Sequence, residues 1–436
     1  MGEPRPPRDA AAPRPAEPVM GAVGGPIGLL ARWSTFEAFQ FREFRLLWLG
    51  QLGSAMGQWM DQVTRGWLMY DLTGSALQLG LVSAIRFFPI LLLSPLAGTA
   101  ADRYGRKTQL IADQLTNATL NFILATLVIT RHVQPWHVYV TGFLVAVLQV
   151  FQQPARLAMV PESVDRAHLT NAIGLNSIAF NSSRSLGPAI SGAIVAAVGP
   201  GGSYIVQGLI YVFASQWTAQ LRLPNKPTHA RSSTQTSSMA AATLEGWRYI
   251  IRDPIIRSGM MISYVQALMG VPFATLLPVF ARDILMVGPE GQGLLLTTMG
   301  FGALGTAFLI AAVGDRLPKG WMLVGGIMTY GVGLLVFSQS LVFGLSLAAM
   351  VVVGSSGVTA GALVQTVLQA HSPPPLRGRI MGVFQQAQIM STVGGLLTGS
   401  FATLFGAQRT VEGMGVALAA CSALIFLTMP SIRDIR

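Results

Sequence analysis

Ionisable side chains lie inside several long apolar segments of this sequence. Asp61 and Arg65 lie in the first segment, Arg86 in the second, Asp113 in the third and Arg184 in the fifth. Charges inside a bilayer are costly, and they commonly carry protons or bind charged ligands. The second half of the chain has no acid or base well inside an apolar segment. Any proton relay built from side chains is therefore predicted in the first half.

Asp61 and Arg86 are predicted to lie at nearly the same depth. At 1.5 Å per residue, each is ~14 Å from the same end of its segment, and the two could form an ion pair. An Asp61 carboxyl that moved between apolar surroundings and a neighbouring arginine would couple protonation to conformation. A permanent structural ion pair is the alternative. Asp113, two turns into the third segment, is predicted either to transfer protons or to belong to a charge cluster at the cytoplasmic ends of the helices.

The composition predicts an α-helical membrane protein with twelve transmembrane helices in two six-helix halves. Of 436 residues, 51% are hydrophobic and 11% are charged, whereas soluble domains carry about 25% charged residues. Apolar segments of this length indicate spanning helices, and the alternating ~10-residue strands of a membrane barrel are absent. The predicted spans are 44–71, 77–101, 107–130, 135–155, 169–198, 203–221, 257–281, 291–313, 321–338, 342–369, 379–406 and 412–430.

The distribution of positive charge predicts the topology. If the N-terminus is cytoplasmic, 23 of the 29 Lys and Arg residues lie in cytoplasmic segments, as the positive-inside rule requires. The net charge of +11 is then a topology signal, and nucleic-acid binding is not expected. The predicted division is a disordered segment and interfacial lead-in (1–43), a first half (44–221), a cytoplasmic linker (222–256), a second half (257–430) and a cytoplasmic tail (431–436).

The stretch "GTAADRYGRK" after the second span concentrates charge between two apolar segments. It resembles motif A of the major facilitator superfamily, G-x-x-x-D-R-x-G-R-[RK]. The resemblance implies that this loop holds the cytoplasmic helix ends together when the transporter faces outward. "AAVGDRLPKG" is a reduced copy in the second half. The matching residues are Gly98, Asp102, Arg103, Gly105, Arg106 and Lys107, with Asp315, Arg316 and Lys319 in the copy. Simple anchoring of the loop by its basic residues is the alternative.

The fifth span carries a second glycine pattern. Drug/proton antiporters of this superfamily have G-x8-G-x3-G-P-x2-G-G there, and this chain matches it with two serines in place of glycines. A generic packing helix with small residues is the alternative. The matching positions are Gly174, Ser183, Gly187, Pro188, Ser191 and Gly192.

The likeness extends over about residues 43–430 and is strongest to the branch of drug:proton antiporters that contains the enterobactin exporter and macrolide efflux proteins. That branch is also indicated by "LWLGQLGSAMGQWM", "LLPVFARDIL" and "RGRIMGVFQQ". The resemblance implies export of a small molecule, driven by protons, and places polar residues of spans 1, 4, 5, 10 and 11 around a substrate cavity. Those residues are Gln58, Gln62, Arg65, Gln149, Asn181, Arg184, Gln365 and Gln385. For the uncharged ones, hydrogen bonding between helices is the alternative.

The predicted function is therefore proton-coupled efflux of a small organic molecule by a monomer in the inner membrane of a bacterium. The excess of arginine over acid favours an anionic or polar ligand. An uptake symporter, or a membrane sensor or assembly partner that kept the fold without transport, are the alternatives. No phosphate-binding loop and no metal-ligand spacing of His or Cys are present, so an enzyme, a cofactor and a metal are not expected.

Overall fold

The computed structural model describes residues 34–93, 105–223, 239–313, 319–373 and 376–428. The regular elements in these ranges are helices. The long helices are α1 (Arg42–Thr73), α2 (Ala76–Ala84, followed by helical residues 87–93), α3 (Arg106–Ile129), α4 (Pro135–Met159), α5 (169–198), α6 (200–219), α7 (Pro254–Val265, continued by irregular helix to residue 284), α8 (Gly288–Val313), α9 (Lys319–Gln339), α10 (Phe343–His371), α11 (Arg377–Phe405) and α12 (Ala407–Thr428).

The helices confirm the predicted fold class. Eight ranges of the described chain are long and apolar enough to cross a membrane. One of them, Arg166–Ala219, contains both α5 and α6, because Gly199 has a φ of 73° and Pro200 starts a new helix. The more polar helices α1, α3 and α11 complete the twelve. Large apolar side chains such as Phe143 and Phe308 are exposed, as a surface that faces lipid requires.

The chain segment between the two halves contains a helix that the sequence analysis did not predict. Met239–Arg252 lies at the start of α11, where Arg379 donates a hydrogen bond to Glu245. The rings of Trp247 and Tyr264 lie 5.9 Å apart, and Ile250 is buried. The missed signal is the apolar spacing in "LEGWRYII", which is too short for a membrane span and lies inside the segment predicted as a linker.

The segment before α1 also packs more closely than an interfacial lead-in needs to. Ser34–Gln40 forms a 3₁₀ helix, and the backbone N–H of Ala38 donates to Oδ1 of Asn171 at 3.0 Å. Ala38 and Phe39 are buried. This short helix therefore belongs to the packing of the first half. Residues 1–33 lie outside the described residues.

The two halves meet at two glycine crossings. We call the end of the bundle where α1 stops at Thr73 the far end, and the end where α1 starts at Arg42 the linker end. A Cβ on Gly192 of α5 would lie 2.6 Å from the carbonyl oxygen of Pro289 at the start of α8. A Cβ on Gly399 of α11 would lie 2.9 Å from Cα of Gly80 in α2. Both crossings lie toward the far end, so the halves touch backbone to backbone there.

Candidate functional site

The charge pair at the centre of α1 is Asp61 with Arg65. Nε of Arg65 donates to Oδ2 of Asp61 at 2.8 Å, and Nη2 donates to Oδ1 at 3.0 Å. Nη1 of Arg65 donates to the carbonyl oxygen of Val138 and to Thr141 of α4. Arg65 is only 6% exposed. A buried charge needs such complete pairing, and the fork of the guanidinium supplies it in two directions.

The predicted Asp61–Arg86 ion pair is not formed. Residues 85–86 form a turn that interrupts α2, and Arg86 lies in that turn. Its Nη2 donates to Oε1 of Gln149 in α4 at 2.6 Å. Arg86 and Asp61 nevertheless line the same cavity. Arg65 takes the carboxylate because it lies one turn along the same helix, where both side chains share a face.

Asp61 and Arg86 border a small cavity between the helices of the first half, which we call the middle cavity. Its polar lining comes from α1, α2, α3 and α4, and Tyr211 of α6 also borders it. Such a lining can hold water and pass a proton to or from Asp61. The polar side chains are Gln58, Asp61, Arg86, Asn117, Asn121 and Gln149.

The other residues predicted for a substrate cavity lie elsewhere. Gln62, Gln365 and Gln385 are exposed and do not line the middle cavity. Nδ2 of Asn181 donates to the carbonyl oxygen of Ser177, within α5. The guanidinium of Arg184 lies over the ring of Trp59, 5.8 Å from its centroid, which is a cation–π contact. Arg184 is thus a partly buried cation without a carboxylate within ion-pair distance in the described residues.

Serine at one glycine position of the span-5 pattern adds a hydrogen-bond network. Oγ of Ser191 lies 2.8 Å from Oγ1 of Thr64, which also lies 2.8 Å from Oγ of Ser203 and accepts from Gln207 at 3.0 Å. Ser191 also donates to the carbonyl oxygen of Met60. This network ties α1 to α5 and α6 one turn from Asp61. The sequence indicated only that Ser191 was small.

The remaining positions of that pattern differ in how tightly they pack. A Cβ on Gly187 would lie 2.9 Å from Cβ of Trp59, and Pro188 is buried beside it. Ser183 is buried and donates to the carbonyl oxygen of Ala179. A Cβ on Gly174 would meet nothing within 4 Å. Close packing therefore explains Gly187 and Gly192 but not Gly174.

The described part of motif A joins α3 to its neighbours at the linker end. Gly105 precedes α3, Arg106 forms an ion pair with Glu162 in the loop after α4, and Nζ of Lys107 donates to the carbonyl oxygen of Leu221 after α6 at 2.7 Å. In the second-half copy, Lys319 is the first residue of α9. The other positions of the motif and its copy lie outside the described residues: Gly98, Asp102, Arg103, Asp315 and Arg316.

Arg156 is a buried charge that the sequence analysis placed outside the membrane. The fourth span was predicted to end at residue 155, but α4 continues to Met159, so Arg156 is inside the helix and 5% exposed. The opposite charge that acts on it is that of Asp113 in α3, which is 4% exposed and accepts from Nδ2 of Asn117 at 3.2 Å. The low hydropathy that begins at Gln152 and Gln153 placed the predicted end of the span before Arg156.

At the far end, α1 and the end of α7 are joined by side chains. Nη1 of Arg282 lies 3.3 Å from Oδ1 of Asp71, and its guanidinium lies 5.6 Å from the ring centroid of Tyr70. The hydroxyl of Tyr70 donates to Asp283. We call these four residues the far-end clasp. Together with the glycine crossings, the clasp closes the space between the halves at this end.

The described residues hold no group of three or more His, Cys, Asp or Glu side chains that could bind a metal. The arrangement of Asp61, Arg65, Arg86 and Arg184 is instead one of buried and partly buried charges distributed over three helices. Such an arrangement suits proton transfer and the binding of a charged solute.

Curated proteins similar to this chain are transporters. The chain is 24% identical to the staphyloferrin A transporter of Staphylococcus aureus, over 85% of this chain and 92% of that protein. It is 25% identical to the multidrug efflux pump Tap of Mycobacterium tuberculosis, over 89% of this chain and 94% of that protein.

Among solved structures, a bacterial homologue of the human lysosomal transporter Spinster, in an inward-facing and unoccupied conformation, matches with a TM-score of 0.72. The match covers 90% of this chain and 98% of that one at 14% identity, and it shows a common fold. The family model described as "Transmembrane secretion effector" matches residues 33–434. The chain therefore belongs to the transmembrane secretion effector family of the major facilitator superfamily, and it is a multi-pass membrane transporter, not an enzyme.

Proposed function

We propose that this protein exports a small organic molecule across the bacterial cytoplasmic membrane by alternating access, in exchange for protons. The observation that carries the proposal is the Asp61–Arg65 pair, which places a largely buried carboxylate, 17% exposed at its side chain, on the border of the middle cavity. Buried carboxylates in transport proteins are costly and serve as proton carriers. The efflux activity named for the Tap pump supports the outward direction.

The charge distribution supports a cytoplasmic linker end. Most of the 29 Lys and Arg residues lie in the segments assigned to that end, the linker among them, as the positive-inside rule predicts. The far-end clasp and the two glycine crossings then close the outer side. We infer that the structure corresponds to the state that faces the cytoplasm. A single chain supplies both halves, which supports a monomer as the transporting unit.

The charge at Arg184 supports an anionic or polar substrate. Arg184 lies in α5 over Trp59 and is partly buried. A carboxylate or another anionic group on the substrate would supply a partner for this guanidinium.

Transport into everted membrane vesicles tests the proposal. Vesicles from a host without its own multidrug pumps should take up at least one compound of a panel that includes ethidium, a macrolide and a ferric siderophore. Uptake should require the pH gradient and should stop when nigericin collapses it. Asp61→Asn should abolish gradient-driven uptake, because an amide cannot carry a proton. Unimpaired, gradient-dependent uptake by Asp61→Asn would exclude the role of Asp61, and uptake only into right-side-out vesicles would favour a symporter.

A further inference from the structure

A second polar cavity lies between the same helices as the middle cavity, about one helical turn nearer the linker end. On α1 its lining moves from Gln58 to Ser54, on α3 from Asn117 to Gln114, and on α4 from Gln149 to Gln152. We call it the linker-end cavity. The two cavities are therefore stacked along one four-helix group of the first half, formed by α1, α3, α4 and α6.

The linker-end cavity is surrounded by buried polar atoms without a protein partner. Both amide atoms of Gln51, Oε1 of Gln114 and Nε of Arg156 have none among the described residues. Gln51 and Gln114 are each 3% exposed. Buried polar atoms are nearly always hydrogen-bonded, to protein or to ordered water. The cavity, about 10 Å³ in volume, has room for about one water molecule, which can hydrogen-bond to these side chains.

Asp113 of α3 lines neither cavity but interacts with one lining residue of each. Its Oδ1 accepts from Asn117, which lines the middle cavity, and Arg156, which lines the linker-end cavity, interacts with its charge. Its Oδ2 is buried without a donor in good hydrogen-bond geometry among the described residues, and Gln152, which lines the linker-end cavity, also acts on the carboxylate. A carboxylate oxygen in that position can accept a proton from water on one side and release it to water on the other.

We propose that the two cavities and Asp113 form a water-filled proton path that connects Asp61 to the cytoplasm through the first half. This inference rests on the proposed proton coupling at Asp61. In the present conformation Arg65 donates to both oxygens of Asp61, the geometry in which the carboxyl acts only as an acceptor. On the proposed path, the proton that Asp61 releases passes to water in the middle cavity, then to Oδ2 of Asp113, and then to water in the linker-end cavity. Each carboxyl returns to its ionised form, and one proton has moved.

The path is separate from the space between the halves. Its lining residues belong to the first half alone, whereas Arg184 lies on α5 beside Trp59. A proton can therefore leave toward the cytoplasm without displacing a substrate held between the halves. On this path the second half needs no acid or base of its own inside a span for proton movement.

Time-resolved infrared spectroscopy after a pH jump tests the path without any substrate. The full-length protein is placed in lipid nanodiscs, and the C=O bands of protonated carboxyls are assigned from their loss in Asp61→Asn and Asp113→Asn. Asn117→Leu places an apolar side chain between the cavities. It should slow the response of the Asp61 band by about tenfold or more, since a proton cannot cross a dry apolar segment. Asn117→Ser, which is small and polar, should restore the parental rate.

Thr119→Val is the matched control, because Thr119 is exposed on the same helix and the one hydrogen bond of its side chain within the described part of the chain goes to the carbonyl oxygen of Leu115. It should leave the rate unchanged. An Asp61 band that responds equally fast in Asn117→Leu and in the parent would overturn the path, as would an Asp113 band that never changes. Failure of the proposed export would show differently, as vesicles that take up no compound while both carboxyl bands still respond.

Discussion

The Asp61–Arg65 pair joins a carboxylate and a guanidinium on one face of α1. The guanidinium of Arg65 makes two hydrogen bonds to Asp61 and two more to α4. The guanidinium packs beside Gly142 of α4, where a Cβ would lie 3.4 Å from Nη1 of Arg65, at ordinary van der Waals distance. A neutral Asp61 would leave this arginine with a net buried charge. The pair therefore favours the ionised carboxylate in this conformation and must loosen when the carboxyl takes up a proton.

Stability measurements should reveal that charge state. Asp61→Asn should destabilise the protein by about 3 kcal/mol, the typical cost of leaving one partner of a buried pair unpaired. Asp61→Asn combined with Arg65→Gln should recover most of the loss without recovering transport, because both charges are gone. Thermal unfolding in detergent, followed by intrinsic fluorescence, measures both effects.

Asp71→Asn is the comparison for that measurement. Its ion pair with Arg282 is about half exposed, and such surface pairs contribute about 0–1 kcal/mol. If Asp61→Asn were as stable as Asp71→Asn, Asp61 would already be neutral in the parent protein. That result would contradict the Asp61–Arg65 ion pair as the state of Asp61 in this conformation.

The residues that could be predicted from the sequence are those whose type alone is informative. Charges inside apolar segments pointed to Asp61, Arg65, Arg86, Asp113 and Arg184. Their partners could not be predicted, since choosing Arg65 or Arg86 for Asp61 depends on how α2 turns at residues 85–86. Arg156 was missed because hydropathy marks where a segment becomes polar, and a helix can continue past that point with its polar side buried.

At the scale of elements, the glycine crossings decide how closely the halves approach. Gly192 and Gly293 let α5 and α8 meet backbone to backbone, and Gly80 and Gly399 do the same for α2 and α11. Small residues at such crossings replace the hydrophobic effect as the basis of packing in lipid. Motif matching indicated Gly192 but not its partner Gly293, because the partner belongs to the other half.

Adding one methyl group at a crossing should open the far end. Gly192→Ala places a Cβ 2.6 Å from a backbone oxygen of α8, so the helices must separate and the closed state is disfavoured. Spin labels on Thr130→Cys and Met286→Cys, in a Cys421→Ser background, should report a longer distance between the halves by double electron–electron resonance. Both labelled positions are exposed.

Gly174→Ala provides the control within the same helix. A Cβ there meets nothing within 4 Å, so the label distance and the transport rate should match the parent. Equal distances in Gly192→Ala and Gly174→Ala would show that the crossing tolerates a side chain and does not set the approach of the halves.

The boundaries of a helix could be predicted from the sequence where the residues at the boundary themselves end the helix. The Gly199–Pro200 step separates α5 from α6 within one residue of the predicted end of span 5. The linker helix Met239–Arg252 was not accessible, because its stability comes from docking on α11 through Glu245 and on α7 through Trp247. Such tertiary support leaves little trace in hydropathy.

At the scale of the whole molecule, alternating access needs a closed end that can open in every cycle. The far-end clasp meets this need, because Asp71 and Arg282 are 55% and 41% exposed at their side chains. An exposed pair contributes about 0–1 kcal/mol, which changes an equilibrium by about fivefold at most. The close packing at the glycine crossings then contributes most of the free energy that favours the closed far end, and the clasp changes the equilibrium between closed and open far ends only slightly.

Reversing the clasp charges should separate these contributions. Arg282→Asp places a third acid beside Asp71 and Asp283, so repulsion should shift the molecule toward the far-end-open state, with a longer Thr130–Met286 label distance. Adding Asp71→Arg restores an opposite pair at the same place and should return the distance toward that of the parent. Because the pair is exposed, high salt should weaken both effects. If neither substitution changed the Thr130–Met286 label distance, the glycine crossings alone would hold the far end closed.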